Sequence, residues 1–440
     1  MTTNSIAKWQ PVTPSRLKQT TGHLAPQRNL RSSTRLPELD AVRGLMLVGM
    51  ALTHLPTPAS YYSNQLLGFV SWAEGFVLVS ALLAGRVWGA LLRQRPLRVL
   101  IKRIGLRSLK LYGYHLALLG VAFTIVASIA VHTQEPALQG LLDFYLAHRV
   151  QAVVGSALLL YCPPLLDILP MYIIFLLLTP LILAGGRRCG WKLVLGLSAL
   201  LWLAAQFGVR GWVYGLLATH AGFPIPLQNL GAFNLPAWQF LWVFGLWAGG
   251  GGSTHLLKWC KSRGTIAFSA LVAAAFLVMR YQLIPYLVTH PVDQGMTWVL
   301  FDKWQLGVLR LLNFAALGIL FAALRPHFAG PLARTPLGLL GKSSLEAFCV
   351  HVLFCFAALS WVGSGAGAPL SFRVAIVALT LSGMYAIAYL RSRPRNQLSP
   401  APASGALRLP YAARTAAGPD YAPKILALTQ FLFLFVFTVF

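Results

Sequence analysis

The chain has 440 residues, of which 57% are hydrophobic and only 10% are charged. A soluble domain carries about 25% charged residues, so this composition excludes an ordinary soluble protein. The 36 Lys and Arg residues outnumber the 10 Asp and Glu residues, which gives a formal net charge of +26. Such a charge is also typical of nucleic-acid-binding proteins, so the positions of the basic residues decide which partner they serve.

The apolar segments predict an all-α polytopic membrane protein with about 10 transmembrane helices. The candidate spans are 40–56, 66–92, 111–132, 168–186, 191–209, 236–250, 265–284, 304–324, 343–362 and 371–390. The polar stretch 1–37 predicts a disordered cytoplasmic arm, and 38–390 predicts the membrane domain. We expect 391–440 to be a cytoplasmic tail that ends in a short apolar segment.

The basic residues are concentrated in alternating connections. With the N-terminus in the cytoplasm, 25 Lys and Arg residues fall in cytoplasmic segments, and only Arg149, Arg210 and Lys303 fall in the opposite connections. The positive-inside rule therefore predicts a cytoplasmic N-terminus. The same bias accounts for most of the net charge, so we expect the lipid bilayer as a partner and no nucleic acid.

The first two spans carry ionisable residues, which are expensive in lipid and therefore indicate function. Arg43 and His54 lie eleven positions apart, which on a helix is about three turns and about 16 Å, so both side chains leave the same face. Asp40 lies three residues before Arg43, near that face. Glu74 in the second span is expected at the depth of His54, where a carboxylate orients an imidazole as a general base.

A second group of ionisable residues lies in the last third of the chain. Asp302 and Lys303 precede Arg310, which enters the membrane without a local acid and needs Asp302, Glu346 or an anionic ligand as a partner. Glu346 and His351 lie five residues apart in one span, so we expect them to have separate partners. The cysteine spacing suits neither a metal nor a disulfide framework, and no metal site or bound cofactor is expected.

Several features have two interpretations from the residues alone. Arg43 is either an anchor paired with Asp40 or Glu38, or a clamp for a phosphate or carboxylate. The basic segment 93–110 either sets topology and contacts anionic lipid, or attracts an anionic donor such as a coenzyme-A thioester. Aromatic and hydrogen-bonding residues in the outer connections suit either a sugar site or an interfacial aromatic belt.

These residues resemble a known family. Arg43, ten residues and then His54 match the R-x10-H signature of the acyltransferase family 3 membrane enzymes. Six blocks, in family order between about residues 38 and 390, resemble the OpgC proteins more closely. The blocks are ELDAVRGLMLVGMALTHL, GFVSWAEGFVLVSALLAG, YCPPLLDILPMYIIFLLLTP, NLPAWQFLWVFG, DKWQLGVLRLLNF and GLLGKSSLEAFCVHVLF. The tail beyond residue 391 carries none of this resemblance.

The resemblance implies an enzyme of the bacterial inner membrane. Its expected activity is O-acyl transfer, with succinyl as the expected group, from a cytoplasmic acyl-CoA to hydroxyls of a periplasmic glucan. His54 is the expected base and Glu74 its carboxylate partner. The expected substrate-binding residues are Arg43, Asp40, Asp302, Lys303, Arg310, Glu346 and His351. A succinyl donor carries a free carboxylate, for which Arg310 and Lys303 are candidate partners.

Two other functions stay open from the sequence. A transporter or flippase for a glycan or an anionic substrate predicts related halves with helices broken at matching positions, and no such internal repeat is visible. An acetyltransferase that acts on another surface polysaccharide shares the chemistry and differs in the acyl group and the acceptor.

Overall fold

The computed structural model describes residues 36–252, 254–283, 299–363 and 368–393, with side chains throughout except at 254–256 and 283. The predictions for the arm before residue 36 and for the tail beyond residue 393 lie outside these residues. Within the described ranges every regular element is a helix and no strand occurs, which confirms the all-α fold class for this part of the chain.

The helices are numbered here in chain order. They are α1 Pro37–His54, α2 Ala59–Ser63, α3 Trp72–Gln94, α4 Leu97–Thr133, α5 Pro136–Leu141, α6 Asp143–Ala147, α7 Arg149–Ala157, α8 Ile168–Arg188, α9 Trp191–Gln206, α10 Val209–Ala221, α11 Leu235–Trp247, α12 Thr254–Cys260, α13 Arg263–Gln282, α14 Val308–Ala333, α15 Leu337–Lys342, α16 Ser344–Val362 and α17 Leu370–Ser392.

Seven of these helices are long and apolar enough to cross a membrane, namely α3, α4, α8, α13, α14, α16 and α17. The pair α9 and α10, bent by 73°, makes an eighth if it forms one span. Helix α1 carries three charged residues in its 18, and α11 has only 13 residues. The described helices thus establish seven or eight candidate spans, and the count of ten and the cytoplasmic N-terminus stay predictions.

Several predicted connections contain helix. Most of the basic segment 93–110 belongs to α4, because Arg and Lys are good helix formers and do not interrupt a helix. A π-helical turn at Ala122–Val126 lies within this helix. The predicted connection 210–235 begins with α10, which Gly208 separates from α9. Gly208 has φ +79°, a left-handed conformation that glycine adopts without steric cost.

Helix α1 lies against α3, α14, α15 and α16, and small residues set how close it comes to α15. Gly44 packs on the backbone of Leu337, and Gly341 packs on the backbone of Asp40. A Cβ atom at either glycine would overlap a carbonyl oxygen of the other helix. Close backbone approach through small residues is typical of helix packing in membranes. This contact holds α1 against α15, the short helix that precedes α16.

Ion pairs join residues that the charge bias assigns to the cytoplasmic side. Glu38 of α1 accepts from Arg325 of α14 at 2.5 Å. Glu346 of α16 accepts from Lys110 of α4 at 2.8 Å and lies 3.9 Å from Arg391 of α17. Such partly exposed pairs add little stability. They do gather residues of five helices that the sequence predicts to be on the cytoplasmic side.

Gly341→Ala tests the close contact between α1 and α15. We expect it to lower the unfolding free energy by about 1–3 kcal/mol, because the added methyl group overlaps the Asp40 backbone. Gly338→Ala is the matched control in the same helix, since its methyl group meets no atom within 4 Å. Thermal unfolding in detergent compares the two variants, and equal midpoints would contradict the close contact.

Candidate functional site

Arg43 and His54 both reach α16 from the same side of α1, as their spacing predicts. Arg43 contacts Ser344 at the start of α16, and His54 contacts His351 two turns further along. The two α1 residues are separated by eleven positions, or about 16 Å of helix rise. The interface between α1 and α16 therefore has a polar group near each end.

The guanidinium of Arg43 is fixed by the corner between α15 and α16. Its Nη1 donates to the carbonyl of Gly341 at 3.2 Å, and its Nη2 donates to the hydroxyl of Ser344 at 2.5 Å. Its Cζ lies 5.5 Å from the ring centroid of Phe76, a cation–π distance. Gly341 and Ser344 were not predicted as site residues. They lie about 300 positions after Arg43 in the sequence, and only the packing of the helices brings them near it.

The surroundings of Arg43 favour an anion. The guanidinium interacts electrostatically with Asp40 and Tyr172, and also with the second cation Arg107 on α4. Within the described part of the chain, Arg107 has no carboxylate within 4 Å. A guanidinium binds a phosphate or carboxylate through paired donors, so Arg43 and Arg107 are candidate anion-binding groups.

The imidazole of His54 pairs with a second imidazole. Its Nδ1 lies 3.2 Å from the Nε2 of His351, and the rings are nearly parallel, with centroids 5.5 Å apart. His351 is fully buried and packs edge-on against Phe348, whereas His54 is half-buried. A hydrogen bond between neutral imidazoles needs one N–H and one lone pair. With the proton on Nδ1 of His54, its Nε2 is left free to accept a proton.

The predicted pair of His54 and Glu74 is corrected by the structure. Glu74 is fully buried and accepts from the Nε of Arg310 at 2.5 Å. Its other oxygen accepts from the backbone N–H of Ser71 at 3.1 Å and from the Ser71 hydroxyl. Glu74 lies beside the middle of α1, because its neighbour Gly75 packs on Met46, eight residues or about 12 Å of helix rise before His54.

Arg310 finds its partner in Glu74, and neither Asp302 nor Glu346 supplies the predicted charge. Arg310 is fully buried, and its Nη1 also donates to the carbonyl of Phe301 at 3.4 Å. Asp302 accepts the N–H groups that follow it, in a local turn. Glu346 pairs with Lys110 near the Arg43 end of the site. These two acids therefore have structural partners of their own.

Asn313, one turn after Arg310, lies in the same buried region. Its Oδ1 accepts the backbone N–H of Phe69 at 2.8 Å, just before α3 begins. The Nη2 of Arg310 and the Nδ2 of Asn313 are buried and have no acceptor among the described residues. The contact of Asn313 with the connection before α3 was not predicted, because it joins residues 244 positions apart in the sequence.

Lys303 and Asp167 add charge at the His54 end. Lys303 interacts electrostatically with His54, Glu74, Arg310 and Asp167. Burial lowers the pKa of Lys303, while the two carboxylates oppose that shift. Burial raises the pKa of Asp167 to about 6, against the N–H of Ala232 and the Lys303 ammonium, which lower it. Among the described residues, no group of three His, Cys, Asp or Glu side chains has the arrangement of a metal site.

Comparison with known proteins gives one match. A family model described as OpgC protein matches residues 35–396, which is most of the chain. No curated protein matches the chain, and no solved structure matches it. The matched range contains α1, α3, α14 and α16, the four helices that carry the polar groups described above.

Glu74→Gln tests the buried ion pair. We expect it to lower the unfolding free energy by about 3–5 kcal/mol, because the Arg310 charge is left buried without a carboxylate. The double variant Glu74→Gln/Arg310→Met removes the unpaired charge and should recover part of that loss. Thermal unfolding of the wild type, Glu74→Gln, Arg310→Met and the double variant measures the coupling, and additive losses would contradict a direct pair.

Proposed function

The chain belongs to the OpgC family, and we propose that it transfers an acyl group from a cytoplasmic acyl-CoA to hydroxyls of a periplasmic glucan. Membership of this family implies a membrane enzyme of the acyltransferase type. The proposed acyl group is succinyl, and the proposed location is the bacterial inner membrane. The single observation that carries the proposal is the half-buried His54, held by His351 at one end of the α1–α16 interface whose other end is Arg43.

The orientation follows from the charge bias. We propose that α1 begins at the cytoplasmic face, so that Arg43 lies toward the side where acyl-CoA is made and His54 lies toward the periplasm. Coenzyme A has phosphates at one end and its thioester at the end of a long flexible arm. Phosphates near Arg43 and Arg107, with the thioester near His54, fit the separation of the two ends.

The reaction needs one base and a position for each substrate. In the proposed step, Nε2 of His54 takes the proton of a sugar hydroxyl while that oxygen attacks the thioester carbonyl. The tetrahedral intermediate then collapses, the carbon–sulfur bond breaks, and the coenzyme A thiolate leaves with the proton from His54. One ester forms and one thioester is consumed, so no further reactant is needed.

His351 takes the place that a carboxylate has in a Ser-His-Asp triad. In the proposed tautomer its Nε2 accepts the Nδ1 hydrogen of His54, which orients the imidazole and leaves Nε2 of His54 unprotonated. As His54 gains a proton, this hydrogen bond becomes charge-assisted and stronger. The fully buried position of His351 excludes water from that side of the base, which limits hydrolysis of the thioester.

His54→Ala should lower acyl transfer by at least about 10²-fold, because it removes the proposed base. The assay follows transfer from labelled succinyl-CoA to periplasmic glucan in membranes, and mass analysis of the glucan distinguishes succinyl from acetyl. His132→Ala is the control, since this histidine is exposed and bonds only within its own helix. Full activity of correctly inserted His54→Ala protein would refute the proposal, and unmodified glucan crossing the membrane would favour a transporter.

His351→Phe should lower kcat by about tenfold or more and leave the KM for the donor nearly unchanged. The substitution removes the hydrogen-bond partner of His54 and keeps an aromatic ring at this position. Steady-state kinetics with varied acyl-CoA concentration separate the two parameters. A raised KM with an unchanged kcat would indicate instead that His351 contacts the donor.

A further inference from the structure

A short connection between Phe301 and Gly307, called here the Lys303 loop, carries the Lys303 ammonium, which interacts electrostatically with His54. Three helices hold its backbone in place. Its carbonyl groups accept from Trp202 and Gln206 of α9, from Asn234 and Trp238 at the start of α11, and from Arg310 of α14. Asp302 closes the turn by accepting two N–H groups of the loop itself. The Lys303 side chain therefore starts from a fixed backbone.

The Lys303 ammonium lacks a bound partner of opposite charge. Among the described residues it has no carboxylate within 4 Å and no hydrogen-bond acceptor, and its Nζ lies 4.5 Å from the Trp304 ring centroid. It is only partly exposed. An ammonium that is partly removed from water is costly unless an anion pairs with it. The site therefore has a preformed cation that a ligand can neutralise.

Lys303 suits an anionic ligand better than the neighbouring Arg310 does. Arg310 is fully buried, and Glu74 already neutralises its charge. Asp167 lies beyond ion-pair distance of Lys303 and accepts the Ala232 N–H. Lys303 thus combines partial exposure with an unpaired charge, and it interacts electrostatically with His54.

We propose that Lys303 selects the acyl donor by binding a carboxylate at the far end of the acyl group. This inference rests on the proposed function and names the residue that makes the enzyme prefer a dicarboxylic acyl-CoA. The ammonium pairs with the terminal carboxylate while the thioester carbon lies at His54. A neutral acyl chain leaves the ammonium unpaired, and a site built to pair a polar group rejects analogues that lack it.

The test compares succinyl-CoA with butyryl-CoA, which has the same four-carbon chain and a neutral end. We expect the full-length wild type in lipid nanodiscs to prefer succinyl-CoA. Lys303→Met should lower kcat/KM for succinyl-CoA by about tenfold or more and leave the value for butyryl-CoA unchanged, so that the preference falls. Lys303→Arg should retain the preference, because it keeps the positive charge.

Arg149→Gln is the matched control, since it removes an exposed cation in a connection that the sequence assigns to the same side as Lys303. It should leave the ratio of the two donors unchanged. An equal loss with both donors in Lys303→Met would overturn the inference, because it would indicate a general role in folding or catalysis. Transfer from neither donor by the wild type would refute the proposed function itself.

Discussion

A charge that is moved out of water into a protein interior or a bilayer needs a partner, and in this chain that requirement connects distant helices. Arg310 and Glu74 are both fully buried and pair at 2.5 Å, which joins α14 to α3. The same two residues also bind the turn before α3 through Ser71 and the Lys303 loop through Phe301. Removing one charge of such a pair costs more than the pair contributes, so its geometry is strongly constrained. This ion pair therefore helps to position both the Lys303 loop and the start of α3.

The residues of the site could be predicted because charge is rare in apolar helices. That argument selected His54, Arg43, Glu74 and Arg310, and the resemblance to the OpgC proteins is confirmed by the family match over residues 35–396. Their partners could not be predicted in the same way. His54 meets His351 across 297 positions, and Arg310 meets Glu74 across 236, so both contacts depend on how the helices pack. The expected pair of His54 and Glu74 was wrong because α3 begins only at Trp72 and packs beside the middle of α1.

The observed helix boundaries also differ in part from the boundaries predicted from the sequence. The basic residues of 93–110 predict a cytoplasmic connection by charge, yet their helix propensity carries α4 through most of that segment. The predicted span 191–209 ends close to Gly208, where α9 stops, whereas the helix α10 that follows was predicted to be a connection. In the proposed function, α1 links the two substrates: an anion-binding end near Arg43 and a base near the opposite end, both aligned by α16. The enzyme then needs no large movement of its own to bring an acyl group from one side to a hydroxyl on the other.

In the proposed function the two imidazoles act as one catalytic unit, and a double-variant cycle measures the coupling between them. The rate of acyl transfer is compared for the wild type, His54→Ala, His351→Ala and the combined variant, at equal amounts of inserted protein. If His351 acts only through His54, the combined variant is no slower than His54→Ala alone. A combined loss equal to the product of the two single losses would show that His351 and His54 act independently, which contradicts a joint catalytic unit.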